Sequence, residues 1–167
     1  GLDLICAASV SPADWQSLVH FLKAGPPGTT DQPPTHGDPP LVILPAFGLH
    51  PAFDTGAYDA LRDGIPHDGP RPRAIGEIGL DQTVTTPLAW QAERLAMMLE
   101  LASGLHLPVI LHARGPWDGL FRVLDRFPHI RGIMHAFGGP PEIARECIRR
   151  GYLLSAAPRL LNPASKK

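Results

Sequence analysis

Apolar, strand-like runs alternate along this chain with helix-like segments, and this alternation predicts an α/β fold built from βα units. The pattern recurs about every 25 to 35 residues, the length of a strand, a connection and a helix. Six strand-like runs are present, whereas a closed (β/α)8 TIM barrel needs eight strands and typically about 250 residues. We therefore expect residues 1–167 to form a single domain of the TIM-barrel type that is incomplete.

The predicted strands are short apolar runs that end on a polar or turn-forming residue. Several of them carry a charged or metal-binding side chain near the end of the run. In chain order they are Leu4–Ala8, Leu41–Phe47, Arg73–Leu80, Pro108–His112, Gly132–His135 and Gly151–Ser155.

A helix-like segment follows five of these strands. The first starts at Ser11 and Pro12, which suit a helix N-terminus, and runs to about Lys23. The strongest is Leu88–Gly104, where apolar residues recur at i, i+3, i+4 and i+7 and a glycine ends the helix. The remaining predicted helices are Thr55–Arg62, Trp117–Phe127 and Pro141–Arg150.

Two segments rich in proline and glycine separate the early elements, and the chain has 20 prolines in all. The first, residues 24–40, has almost no apolar side chains, so we interpret it as a surface loop insertion and not as a linker between domains. The second covers residues 64–73.

Composition limits the possible functions. No apolar run approaches the ~20 residues of a membrane span, and the start of the sequence shows no secretion signal, so a cytoplasmic or nuclear protein without membrane contact is predicted. The net charge of −1 gives no basic surface for nucleic acid, so a nuclease with this sequence would need a metal or a local patch to hold phosphate. Nothing in the sequence implies a stable protein partner.

Cysteine and tryptophan side chains are predicted to belong to the core. Cys6 and Cys147 lie in apolar surroundings and are too few for a disulfide framework, so both are expected to be reduced, buried thiols. Trp15, Trp90 and Trp117 are likewise expected to be core residues and not a platform for stacking bases.

Three of the strand-like runs end on side chains that can bind a metal: Glu77, His112 and His135. In a parallel barrel the C-terminal ends of the strands converge on one mouth. One carboxylate and two imidazoles arriving there from three strands predict part of a metal site.

Each of these residues has a structural alternative. A carboxylate inside an apolar run is costly to bury unless it is paired or binds a metal, so Glu77 is either a ligand or the partner of a basic side chain. Asp81 is predicted to be a helix cap or an acceptor behind the ligands. His112 could be a core histidine bonded to a backbone carbonyl, but Arg114, two residues later on the same strand face, favours a site that takes phosphate or carboxylate.

Other residues at the predicted mouth are candidates for substrate binding. Gly138 and Gly139 follow His135 and precede a helix, where free backbone N–H groups can hold a phosphate. His50 also ends a strand, and it is either a substrate contact, a group that supports the metal ligands, or a turn residue held by Pro51.

Taken together, these motifs closely resemble the TatD family of metal-dependent deoxyribonucleases over nearly the whole chain outside the proline-rich loop. The motifs are Gly48-Leu-His50-Pro51, Ala74-Ile-Gly-Glu77-Ile-Gly-Leu-Asp81, Gln91, Leu107-Pro-Val-Ile-Leu-His112-Ala-Arg114, Met134-His135-Ala-Phe-Gly138-Gly139 and Gly151-Tyr-Leu-Leu-Ser155.

The resemblance implies a TIM-barrel hydrolase that cleaves DNA, commonly as a 3′ to 5′ exonuclease, with a divalent centre of Mg, Mn or Zn that holds two ions in the complete family site. It implies that Glu77 is a catalytic metal ligand that bridges the ions if two bind, and that His112 and His135 are further ligands. It also places His50 and Arg114 near the substrate.

The sequence departs from the family pattern at both ends. It has neither the family's opening Asp-x-His-x-His strand nor its closing Glu-Thr-Asp strand, so strands two to seven are expected, with reduced DNA hydrolysis by this chain. Two alternatives remain open at this stage. One is a catalytically inactive fragment or pseudo-enzyme, and the other is a TatD-like hydrolase of a different ester or amide.

Overall fold

A computed structural model describes residues 4–24, 42–53 and 70–156 of the chain. The predicted helix Thr55–Arg62 and residues 25–40 of the predicted loop insertion lie outside these ranges. Residue 24, the first of that predicted loop, instead closes the first helix.

Six parallel strands form one sheet in the order in which they occur along the chain. Neighbouring strands in sequence are neighbours in the sheet, and described helices lie in four of the five connections between them, so the described residues form an α/β half-barrel. The strands are β1 Leu4–Ala8, β2 Val42–Phe47, β3 Ala74–Asp81, β4 Val109–Arg114, β5 Gly132–Phe137 and β6 Leu153–Ala156. The helices are α1 Pro12–Ala24, α2 Leu88–Gly104, α3 Trp117–Leu124 and α4 Pro141–Arg149. This confirms the predicted incomplete barrel, with small differences at the element ends.

Helix α2 packs its apolar stripe against the sheet. Leu95, Met98, Leu99 and Ala102 are all buried, as the helical spacing predicts. They join a core that includes Ile75, Ile78 and Leu80 of β3 and Leu111 of β4. The central strands β3 and β4 therefore contribute to this core, and these two strands carry Glu77 and His112. None of the described helices is both long and apolar enough to cross a membrane.

Two of the core predictions are wrong. Cys147 is buried, but Cys6 is exposed because, among the described residues, its strand β1 has a neighbour on one side only. Trp90 is 40% exposed on α2, with the Arg94 guanidinium 4.9 Å from the centre of its ring. Trp15 is buried as predicted, and its indole N–H donates to the Gly48 carbonyl at 2.9 Å.

Glycine lets the backbones of β3 and β4 approach closely beside the candidate site. Gly79 is paired with His112 and has a φ of +155°. A Cβ atom at Gly79 would lie only 1.8 Å from the His112 carbonyl oxygen. No L side chain fits that space, so the strand that carries Glu77 can take this position against β4 only with glycine at residue 79.

Candidate metal centre

Side chains from three neighbouring strands meet at the C-terminal ends of the sheet. His50 follows β2, Glu77 lies in β3 and His112 lies in β4, and each is partly buried. Atoms of these three residues that could bind a metal all lie within 4.8 Å of one another. Two imidazoles and a carboxylate at this spacing form a compact set of donors for one divalent cation.

An irregularity in the β3–β4 ladder positions Glu77. Gly76 pairs with Ile110 and Ile78 pairs with Leu111, so Glu77 has no partner of its own on β4, and the Gly76–Glu77 peptide bond is cis. An extra residue in a strand re-aims its side chain, and here the carboxylate reaches His112, with Oε1 3.3 Å from Nδ1. Among the described residues, Glu77 is therefore paired with an imidazole and not with an arginine or a lysine.

The charge state of Glu77 follows from its neighbours. Burial raises the pKa of this carboxyl group, but the hydrogen bond with His112 and the charges of His135 and His50 outweigh burial and lower the pKa. Glu77 is therefore ionised at neutral pH, which is the form that a metal ligand needs.

The second ring nitrogen of His112 is bound to Asp81. His112 Nε2 lies 3.0 Å from Asp81 Oδ2, and Asp81 is buried. With Asp81 accepting the Nε2 proton, a neutral His112 has its lone pair on Nδ1, where a metal could bind, and only the protonated ring donates Nδ1–H to Glu77. This is the usual arrangement behind a metal-binding histidine, where a carboxylate fixes the tautomer and the ring orientation.

Asp81 is itself locked in place by a local turn. Its Oδ1 accepts from the Thr83 backbone N–H at 2.7 Å and from the Thr83 hydroxyl at 2.6 Å. Burial raises the pKa of Asp81, but these hydrogen bonds and the one with His112 prevail and lower it to about 2. Asp81 is thus an acceptor behind His112 and not a helix cap, since α2 begins without a side-chain cap.

Gln91 of α2 completes this support. Its Oε1 accepts from the Asp81 backbone N–H at 2.7 Å, and its Nε2 donates to the carbonyls of Asp81 at 3.0 Å and Thr86 at 2.7 Å. The side chain is buried and fixes the end of β3. Reasoning from the residues alone gave no role to Gln91 or Thr83. A signal for Gln91 was present, because it lies four residues before Leu95 on the apolar stripe of α2.

His112 carries a higher proton affinity than an ordinary histidine in this setting. Burial lowers its pKa, but the hydrogen bonds with Glu77 and Asp81 and their charges raise it overall. A metal ion at Nδ1 would take the place of that proton, so metal binding and protonation compete at this atom.

His50 is within reach of the same cation but has a different hydrogen-bonding state. Its ring centre is 4.2 Å from that of His112, and its Nδ1 accepts the Ala52 backbone N–H at 3.1 Å. Burial and the nearby charge of His112 lower the pKa of His50. A neutral ring whose Nδ1 accepts a hydrogen bond carries its proton on Nε2, which makes Nε2 a donor. This geometry favours contact with an anionic group over metal ligation by His50.

The other predicted site residues lie at the exposed rim. His135 falls in the stretch of β5 where the ladder with β6 is irregular, and it is exposed and outside the three-residue cluster. Arg114 ends β4 and is exposed, two residues from His112. Gly138 is exposed and Gly139 is partly buried, just before α4. The roles predicted for these four residues stay predictions.

A groove of about 760 Å³ lies between the first turns of α2 and α4 and runs along the length of α3. Its lining includes Leu88, Trp117 and Ile143, but none of the clustered residues His50, Glu77 and His112. The groove is therefore separate from the candidate metal centre.

Replacing Asp81 with asparagine removes the negative charge that faces His112 Nε2 and tests its contribution to stability. Asp81 has a folded-state pKa of about 2, below its ordinary 3.8, so its carboxylate stabilises the fold above pH 4. That contribution, about 2 kcal/mol, is lost as the pH falls toward 2. We expect the difference in unfolding free energy between wild type and Asp81→Asn to shrink from pH 5 to pH 2 in urea titrations.

The matched control is Asp118→Asn, an exposed carboxylate in the first turn of α3. Its difference in unfolding free energy from wild type should be smaller than that of Asp81→Asn, because a charge at an exposed helix N-terminus contributes only about 0.3 to 1 kcal/mol. A difference for Asp81→Asn that stays constant over this range would show that the Asp81 carboxylate does not stabilise the fold as described.

The comparisons with known proteins agree with this geometry. Residues 37–167, more than half of the chain, match the family model described as TatD related DNase. The human protein Deoxyribonuclease TATDN3 is 29% identical over 140 residues, which cover 75% of this chain and 51% of that protein. The 3′-5′ ssDNA/RNA exonuclease TatD of Cronobacter turicensis is 38% identical over 122 residues, which cover 64% of this chain and 43% of that protein.

A solved structure shares the fold. The crystal structure of YjjV, a TatD homologue from Escherichia coli, superposes with a TM-score of 0.72 and 25% sequence identity, covering 92% of this chain and 56% of that one. The chain spans about half the length of the curated relatives it matches. With six parallel strands that bring Glu77 and His112 together, these matches show that the chain belongs to the TatD-related DNase family.

Proposed function

We propose that this protein is a metal-dependent hydrolase of DNA phosphodiester bonds that acts in the manner of a 3′ to 5′ exonuclease. The observation that carries the proposal is the contact between Glu77 and His112, with His50 beside them, so that polar atoms of all three lie within 4.8 Å of one another at the C-terminal ends of parallel strands. The names of two relatives, a deoxyribonuclease and a 3′-5′ ssDNA/RNA exonuclease, support the substrate class.

Glu77 and His112 are the proposed core of the metal site, with His135 as a further ligand. Glu77 supplies the negative charge that a divalent cation requires and would bridge two ions if two bind. Asp81 holds His112 by its Nε2 atom, which leaves Nδ1 for the ion. A bound Mg²⁺, Mn²⁺ or Zn²⁺ supplies Lewis acidity and lowers the pKa of water for attack on phosphorus.

Residues at the rim are proposed to bind the phosphate. His50 Nε2–H donates to a phosphate oxygen, because Nδ1 is already engaged by the Ala52 N–H. Arg114 can pair with a phosphate in bidentate fashion, and the backbone N–H groups near Gly138 and Gly139 precede the start of α4. A local set of this kind requires no basic surface, consistent with the net charge of −1.

The direct test is hydrolysis of single-stranded oligodeoxynucleotides by the purified chain with added Mg²⁺, Mn²⁺ or Zn²⁺. We expect weak cleavage, in line with the reduced hydrolysis expected from the sequence, that depends on metal, stops with chelator, and shortens a 5′-labelled strand stepwise from its 3′ end. A Glu77→Gln preparation made in parallel controls for contaminating nuclease. Metal-dependent cleavage of carboxyl esters or amides, with DNA left intact, would contradict the proposal and favour the alternative substrate class.

A further inference from the structure

An exposed aromatic ring stands beside the candidate metal centre, and the roles proposed above do not use it. Phe53 lies three residues after His50 and is 53% exposed. The centre of its ring is 5.7 Å from that of the His50 imidazole, with the two planes tilted by 52°. The His50 ring also contacts the ring of His112, with ring centres 4.2 Å apart. Phe53 is therefore linked to the candidate metal ligand His112 through a single imidazole ring.

Backbone hydrogen bonds hold this ring in position. The Phe53 N–H donates to the His50 carbonyl at 2.8 Å, and the His50 N–H donates to the Val10 carbonyl at 3.0 Å. The Ala52 N–H donates to His50 Nδ1, and Pro51 between them is buried. The segment 50–53 is thus a closed turn tied to the start of α1, so presenting the ring costs little further ordering.

Position distinguishes Phe53 from the other exposed apolar residues. Single exposed apolar side chains are ordinary on protein surfaces and need no function. Among the described residues, Trp90 is the other large aromatic side chain with comparable exposure, and it lies on α2 in contact with Arg94. Phe53 instead contacts a residue of the cluster, at the mouth where phosphate is proposed to bind.

We propose that Phe53 is a stacking platform for a nucleobase, and that it holds the base next to the phosphate that His50 is proposed to bind. This inference rests on the proposed function, because it requires a nucleic-acid substrate. Aromatic side chains bind every base through its π-face, so the contact adds affinity without sequence preference. It also supplies an attraction for single strands that the chain's charge does not provide.

The test compares Phe53→Ala, Phe53→Leu and Phe53→Trp in binding, with Mn²⁺ present. The probe is a single-stranded oligodeoxynucleotide with 2-aminopurine at its 3′ nucleotide and phosphorothioate linkages that resist cleavage. The comparison probe lacks the base at that nucleotide. We expect Phe53→Ala and Phe53→Leu to weaken binding of the first probe about 5- to 100-fold and Phe53→Trp to retain it.

Two controls separate stacking from other effects. The probe without the base should bind all four proteins alike, because only the base contacts the ring. Trp90→Ala, which removes the other exposed aromatic side chain, should bind both probes as wild type does. Wild type should also quench 2-aminopurine fluorescence, and Phe53→Ala should not.

The outcomes also separate this inference from the proposed function. Wild-type affinity in Phe53→Leu, or an equal loss on both probes, would overturn stacking while leaving the hydrolase proposal intact. If wild type binds Mn²⁺ but neither probe, the nucleic-acid function fails and the role of Phe53 fails with it.

Discussion

Glu77→Gln is expected to lower the affinity of this chain for Mn²⁺ by at least about 100-fold and to reduce metal-dependent DNA hydrolysis to background. Mutation of residues that hydrogen-bond to metal ligands typically lowers metal affinity or activity 10- to 100-fold. Removal of a charged ligand itself should lower the metal affinity by about as much or more. Glu77 is the carboxylate of the three-residue cluster, and its Oε1 is 3.3 Å from His112 Nδ1. Glutamine keeps the size and a hydrogen-bonding oxygen, so the fold should persist.

Isothermal titration with Mn²⁺ measures the affinity and the number of ions, and it does so without relying on catalytic turnover. The matched control is Glu93→Gln, which removes an exposed carboxylate of α2 that is not part of the cluster. It should bind Mn²⁺ as wild type does. Unchanged Mn²⁺ affinity in Glu77→Gln would exclude this cluster as the metal site.

Gly79→Ala is expected to destabilise the fold by about 3 to 5 kcal/mol, a large share of the stability of an ordinary domain. The added Cβ would lie 1.8 Å from the carbonyl oxygen of His112, and the φ of +155° is unfavourable for any L side chain. Relief requires β3 to move away from β4, and this movement would separate Glu77 from His112. Stability and metal affinity should therefore fall together.

Gly104→Ala is the control, because a Cβ at this last residue of α2 meets no atom within 4 Å. Its unfolding free energy should change by less than about 1 kcal/mol, in the stabilising direction. Urea unfolding followed by circular dichroism measures both variants. A Gly79→Ala protein as stable as wild type would mean that the two strands are not packed as closely as described.

Most of the architecture could be predicted from the sequence because its signals are local. The sequence predicts helix α2 with its observed bounds, Leu88–Gly104, because the apolar stripe and the terminal glycine both lie within one short segment. The strand ends shifted by a few residues, because hydrogen bonding to neighbouring strands decides where a strand stops. Exposure was harder to predict. Cys6 and Trp90 have apolar side chains, but whether these side chains are buried depends on which other elements cover them.

The candidate site was predicted in part. Glu77 and His112 were recognised as metal-capable residues at strand ends, and the structure brings them into contact. The sequence predicts His50 as a substrate contact, but it does not predict that a ring nitrogen of His50 lies within 4.8 Å of atoms of Glu77 and His112. His135, in contrast, is exposed at the rim. The Gln91 amide that closes the end of β3 contacts Asp81 across ten residues.

The sequence by itself determined the order of strands and helices, the residue types at the strand ends and the family, because periodicity and motifs are properties of short segments. Only the tertiary structure decided which donor atoms meet, that Asp81 holds His112 by Nε2, and that Phe53 stands beside His50. The physical reason is that these contacts depend on strand register and on the bulge at Glu77, and a shift of one residue in either would re-aim every side chain in the site.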